Sequence, residues 1–382
     1  MRERGKQVEY KIISGDSHVD LTFLPEDLFI KNAPAPWKER MPHVKESSQG
    51  RMWVVEDIDI TDVGRFVIRE NYSQGMRDHT NRMDAAGIFD TSDGGYHPTT
   101  PHLRLRDQDL DGVDAEVIYG LFNVSPKLKD YDQVTQIFKI YNDWIADFCK
   151  TNPDRFVGLA CIPNHDPQVA AQELRRGAEM GLKGTEFGVS SASKPIYHQD
   201  WDVLWQASSE TGMSISFHTV GWEPRQVDPS ERATYERTVG TIHTTMLQLA
   251  GVEFLASAIF SGACERYPNF KFLLGECGIS WLPYVLDRMD HEGGGQPGLT
   301  MKPSEYFQRQ GYSTFQKESV AGDIIPLIGA ENVIWGSDYP HPDGVWPDSQ
   351  KTIENNFRNL KSESDKRKVI CENAGKLYGL IK

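Results

Sequence analysis

The chain has no C-x-x-C pair, no apolar stretch of bilayer length and no surplus of positive charge, and each absence removes a class of function. Its five cysteines (Cys149, Cys161, Cys264, Cys277, Cys371) are odd in number and scattered over 382 residues. Reduced thiols suit that pattern better than a disulfide framework or a thiolate metal site, both of which need paired or closely spaced cysteines. The most apolar long stretch, residues 249–263, contains Glu253 and is shorter than the ~20 residues that cross a bilayer. The opening MRERGKQVEYKII holds no apolar signal core, so a cytoplasmic protein with no membrane partner is expected. Lys and Arg number 41 against 55 Asp and Glu, a net charge of −14. A phosphate backbone demands clustered cations, so no nucleic-acid partner is expected. A small anion is still admissible, because a bound metal can reverse the local sign.

Hydrophobic residues make up 38% and charged residues 25%, enough apolar material for a large core. Short β-branched or aromatic runs alternate with helix-length amphipathic segments. The runs lie at 11–19, 113–120, 156–163, 183–189, 214–220, 271–278, 313–316 and 333–339. Helical patterns fall at 133–150, 167–180, 201–211, 241–266, 280–290, 321–328 and 349–360. Strands alternating with helices predict βα units on a parallel sheet, and eight of them fit a closed (β/α)8 TIM barrel. One domain over residues 1–382 is expected. Residues 21–103, rich in Pro, Gly, Asn and Asp, read as a long insertion after the first strand, and residues 221–240 as a polar loop after the fifth. Loops that follow barrel strands border the active-site face, so both are expected to cover the mouth.

Catalytic groups of such a barrel gather at the strand C-termini. Here the first strand ends in Asp16-Ser-His18, the fifth in His218, the sixth in Glu276, and the eighth in Asp338-Tyr-Pro-His341. Imidazole and carboxylate from four strands are the donors a borderline divalent cation takes. Asp16 and His18, two apart on an extended strand, share a face. Most other histidines read as surface residues. His97, in the stretch that covers the mouth, is a candidate substrate contact, as is Trp222 just after His218.

The segments ISGDSHVD at 13–20, RLRDQDLDGVDAEVIYG at 104–120, NPDRFVGLACIP at 152–163, SISFHT at 214–219 and NVIWGSDYPHPDG at 332–344 carry a resemblance, joined by 265–291 and 372–380. The chain resembles the amidohydrolase-related family of the metal-dependent amidohydrolase superfamily. That group includes aminocarboxymuconate-semialdehyde decarboxylase and γ-resorcylate decarboxylase. The resemblance implies a metal site formed by Asp16, His18, His218 and Asp338, and a homo-oligomer, a dimer or tetramer. Many members carry His-x-His where this chain has Asp16-Ser-His18. The decarboxylases usually place a histidine where this chain has Glu276.

One divalent ion is expected, Zn²⁺ first with Mn²⁺ as the alternative, since two imidazoles with carboxylates admit both. With Asp16, Asp338 and Glu276 all ionised, a dication is outweighed by one charge, and a carboxylate substrate meets repulsion unless a nearby Arg or Lys, or a Glu276 kept protonated by burial beside other carboxylates, compensates. The leading expectation is therefore hydrolysis of an amide, ester or activated C–C bond in a small cyclic or aromatic substrate by a metal-activated water. Asp338 would act as proton carrier, Glu276 as an orienting group, and His341 would face the developing oxyanion. The alternative is non-oxidative decarboxylation of an aromatic or muconate-like acid, with Asp338 delivering the proton. A non-catalytic barrel scaffold is the remaining reading.

Overall fold

The structure is a computed structural model that describes residues 9–47, 50–68, 72–189, 192–218, 231–293 and 295–382. Among the described residues, eleven strands form two sheets. The large one runs β1 (Ile13–His18), β5 (Ala115–Tyr119), β6 (Phe156–Cys161), β7 (Gly184–Phe187), β8 (Ser214–His218), β9 (Phe272–Gly275), β10 (Gly311–Phe315) and β11 (Val333–Trp335). Every neighbouring pair in it is parallel, and Ser17 bridges to Tyr339 so that the last strand meets the first. Helices lie between successive strands, which is the expected (β/α)8 barrel. Each of the eight predicted strands is present, including the short β10.

The local chemistry explains the helices. Asp130 and Asp166 accept from the first free N–H groups of Tyr131–Lys150 and Pro167–Met180, and Gly181 ends the latter in a left-handed conformation. The helix expected over 241–266 begins earlier and is broken into Arg232–Leu247, Ala250–Phe260 and Ala263–Arg266. Contrary to the expectation that no apolar stretch reaches bilayer length, Thr234–Phe260 is long and apolar enough, by length and composition alone, to span a bilayer. In its second half, however, Phe254, Leu255, Ala258 and Ile259 are buried in the protein.

The insertion has more structure than its composition suggested. His43–Ser47, Gly50–Val55 and Ile58–Asp62 (β2, β3 and β4) form an antiparallel sheet that buries Met52, Trp53, Val54 and Val55. A helix, Gln74–Ala85, follows. His79 on that helix is buried, with Nδ1 2.8 Å from the Pro342 carbonyl and Nε2 2.6 Å from that of Trp346. The insertion is thereby tied to the loop after β11, which carries His341.

Closure of the barrel brings β1 and the end of β11 into unusual proximity. A Cβ on Gly336 would lie 2.4 Å from the Asp16 Cβ. Gly336→Ala should therefore cost about 1–3 kcal/mol of stability through overpacking, read by denaturant unfolding. It should also displace Asp16, whose main-chain carbonyl accepts from Asp338 N at 2.8 Å.

Candidate active site

Six of the residues expected at strand ends converge at the mouth. Asp16 and His18 point from β1 into the barrel, His218 ends β8, Glu276 follows β9, and Asp338 and His341 follow β11. His18 Nε2 lies 3.2 Å from Asp16 Oδ1 and 3.1 Å from Asp338 Oδ1. His218 Nε2 is 3.8 Å from Asp16 Oδ1 and 3.5 Å from Glu276 Oε2. His341 stacks on His18 at 4.0 Å between centroids, with Nδ1 2.8 Å from Asp338 Oδ1 and Nε2 3.0 Å from Asp20 Oδ2. Glu276 and Asp338 both have φ of 54°, a left-handed conformation that side-chain-bearing residues rarely adopt. Such strain persists only where the surroundings fix it, and it collects at functional sites.

The outer oxygen of Asp16 is fully engaged. Its Oδ2 accepts from Glu276 N at 3.0 Å and Thr314 Oγ1 at 2.9 Å, which leaves Oδ1 turned inward. Tyr119 fills the barrel beneath, its ring 5.4 Å from His18 and 5.0 Å from His218, its hydroxyl 2.7 Å from Ser216 Oγ. Among the described residues, Asp16 Oδ1, His18 Nε2, His218 Nε2 and both Asp338 carboxylate oxygens are buried with no well-aligned hydrogen bond. Buried polar atoms are otherwise almost always satisfied. Asp16, His18 and His218 present atoms all within 4.8 Å of one another, as do His18, Asp338 and His341. These two groups share His18, and together they offer imidazole nitrogens and carboxylate oxygens, a donor chemistry that fits a divalent cation.

Electrostatics follow from this crowding. Burial opposes ionisation of Asp16, but the adjacent His18 and His218 outweigh it and hold the carboxyl well below the usual range. Burial and the charge of His341 push His18 down, yet Asp16 and Asp338 prevail and raise it to about 10. His341 is raised despite burial by Asp338 and Asp20. Glu276 behaves oppositely: burial, then the charges of Asp338 and Asp343, push it up to about 8.

A cation must displace the His18 proton before it can use Nε2, so protons and metal compete. At any pH below the raised imidazole value the proton is favoured, and each unit of rising pH relieves that competition. Apparent metal affinity should rise at least about tenfold per pH unit across the neutral range, for one proton displaced. Manganese titrations followed by electron paramagnetic resonance at several pH values would show this; a flat profile would contradict it.

One expected contact lies away from the mouth. His97 is 1% exposed, with Nδ1 3.0 Å from both Asp107 oxygens and Nε2 3.0 Å from Arg106 Nη2, so its ring is held against the helix Pro101–Asp111 and does not face a substrate at the mouth. Its polarity is spent on neighbours. Trp222 lies outside the described residues. Three carboxylates were missed: Asp20, buried beside His341; Asp343, grouped with Glu276 and Asp338; and Glu186 at the end of β7, which accepts from Gly120 N at 2.7 Å. Asp20 was findable, because 16, 18 and 20 continue one strand face. Asp343 sits in a turn, where no periodicity points to it.

Residues 125–380 match the sequence model of the amidohydrolase family. The chain is 27% identical over 292 residues to 2-amino-3-carboxymuconate-6-semialdehyde decarboxylase of Dictyostelium discoideum, covering 73% of this chain and 77% of that one. It is 26% identical over 348 residues to γ-resorcylate decarboxylase of Polaromonas sp., covering 83% and 99%. Among solved structures, an amidohydrolase from Mycobacterium avium subsp. paratuberculosis superposes with a TM-score of 0.74 at 18% identity, over 97% of this chain and 100% of that one. A dihydroxybenzoic acid decarboxylase from Polaromonas sp., solved with bound manganese and 2-nitroresorcinol, gives 0.62 at 19% identity over 98% of both chains.

These relatives overturn the expectation of hydrolysis, for they are named as decarboxylases. The error has a physical source. The charge argument counted Glu276 as ionised, while in the metal-free site burial, then the charges of Asp338 and Asp343, push that carboxyl up to about 8. A dication with two ionised aspartates and a protonated Glu276 would be electrically balanced, which removes the ground for preferring hydrolysis.

Proposed function

Because the chain belongs to the amidohydrolase family, we propose that it is a metal-dependent, non-oxidative decarboxylase of an aromatic or muconate-like carboxylic acid. The observation that carries this reading is the convergence of buried, unsatisfied Asp16 Oδ1, His18 Nε2, His218 Nε2 and Asp338 oxygens beside a chain of proton-bearing groups. Asp16, His18, His218 and Asp338 would hold the cation. When bound, it would act as a Lewis acid that stabilises negative charge on the substrate's oxygens. We take Mn²⁺ ahead of the Zn²⁺ expected from ligand types, on the support of the half-oxygen donor set and the manganese in the Polaromonas structure.

The chain's own groups manage the proton. His341, raised by Asp338 and Asp20, holds a proton 2.8 Å from Asp338 Oδ1 and is 21% exposed, so it can be recharged from solvent. Asp338 passes that proton to the substrate carbon that bears the carboxylate. The C–C bond then breaks, its electron pair returns to the unsaturated system, and carbon dioxide leaves. Neutral Glu276 adds no repulsion to the incoming anion. The role expected of His341, contact with an oxyanion, gives way to that of relay.

Manganese-loaded protein assayed for carbon dioxide against hydroxybenzoates and unsaturated dicarboxylic acids tests the proposal. Release from at least one acid, abolished by a chelator and restored by Mn²⁺, is expected. No release from any of them, with metal bound, would count against it.

A further inference from the structure

The helix Pro101–Asp111 buries an unusual number of polar side chains: Arg104, Asp107, Gln108 and Asp111 are buried along with Leu103, while Leu110 is 62% exposed. An ordinary amphipathic helix buries a mainly apolar face. A buried guanidinium is tolerated only when paired and hydrogen-bonded, and Arg104 donates four hydrogen bonds. Its Nε and Nη2 donate to the two oxygens of Glu116 on β5, at 2.5 and 3.0 Å. Ion pairing alone would need no more. Yet Nη1 also donates to the His18 carbonyl at 2.9 Å and the Pro98 carbonyl at 2.8 Å, and the guanidinium lies 4.9 Å from the Tyr339 ring centroid.

Asp107, one turn on, takes the other end of the same ring: Tyr339 Oη donates to its Oδ2 at 2.7 Å. Tyr339 directly follows Asp338, whose φ of 54° must be held from outside, and its carbonyl accepts from His18 N at 2.5 Å. One helix face therefore fixes the main chain at His18 and grips the residue next to Asp338 by its face and its hydroxyl.

We propose that Arg104 and Asp107 are positioning residues of the metal centre, acting through the His18 carbonyl and through Tyr339. The proposal rests on His18 and Asp338 being cation ligands. Partners one shell beyond metal ligands commonly tune affinity, because they set the orientation of the ligands themselves. Lysine cannot reproduce the fork that reaches Glu116 and both carbonyls together. Tyr339→Phe keeps the ring over Arg104 and removes only the hydroxyl that Asp107 holds.

The test uses full-length Arg104→Lys, Tyr339→Phe and, as a control on the exposed side of the same helix, Leu110→Ala. Each is titrated with Mn²⁺, and the Co²⁺-loaded form is examined by visible absorption. The proposal predicts affinity about 10–100-fold weaker and a changed Co²⁺ band in the first two, with circular dichroism unaltered and Leu110→Ala like the parent. Wild-type affinity together with an unchanged Co²⁺ band in folded variants would overturn it. Should Arg104→Lys not fold, Tyr339→Phe decides by the same two readouts. Failure of the unaltered protein to bind either metal is a distinct result, which overturns the metal reading itself and this proposal with it.

Discussion

Asp338→Asn should reduce carbon dioxide release by about a thousandfold, within the 10²–10⁴ that general acid catalysis contributes, and by more if metal is also lost. The substitution is nearly isosteric, so the packing of a fully buried side chain is preserved. An amide, however, cannot accept the His341 proton and return it to carbon. It also offers one carbonyl oxygen where the carboxylate offers two, so metal retention must be measured on the same sample and turnover expressed per bound ion. The contrast with His341→Gln is informative. That variant keeps Asp338 and should lose less, because water can protonate the carboxylate more slowly. Equal losses in the two would mean that the proton passes only through His341.

His218→Ala should remove the bound ion, a loss of roughly one equivalent by elemental analysis after desalting. His218 is a cleaner probe than Asp16. Truncating Asp16 would also remove an acceptor of Glu276 N and the acceptor of the Thr314 hydroxyl, confounding metal loss with a damaged barrel. A second readout follows from linkage. A ligand that binds only the folded chain stabilises it by about 2.7 kcal/mol at a hundred times its dissociation constant. Added Mn²⁺ should therefore raise the melting temperature of the parent and leave that of His218→Ala unmoved. Full metal content in His218→Ala would remove this residue from the ligand set.

The barrel was legible because its strands are short β-branched or aromatic runs alternating with helix-length amphipathic segments, and a parallel sheet buried on both faces leaves little else for such runs to become. The site was legible for the same reason: once strand ends are located, Asp16, His18, His218, Glu276, Asp338 and His341 are read off by position. What escaped depends on tertiary surroundings. The helix Pro101–Asp111 carries its charges inward, so its pattern looks like that of a surface element until Glu116 and Tyr339 are placed beside it. β2 to β4 lie in a segment whose Pro, Gly and Asp content resembles a loop, and their pairing is with one another and not with the barrel. The preference for hydrolysis turned on a single protonation state. A protonated Glu276 was the way out named from strand ends, but Asp343, which joins burial and Asp338 in raising that carboxyl, sits in a turn that no periodicity marks.

The central claim is that a proton replaces a carboxylate on carbon at this metal centre. It is tested most directly by incubating the Mn²⁺-loaded protein with an aromatic acid labelled with carbon-13 in its carboxylate, in deuterated water. The account predicts labelled carbon dioxide and a product bearing one deuterium at the vacated carbon, with neither formed by Asp338→Asn. An acid recovered with its label intact, alongside turnover of neutral esters or amides by the same preparation, would contradict it.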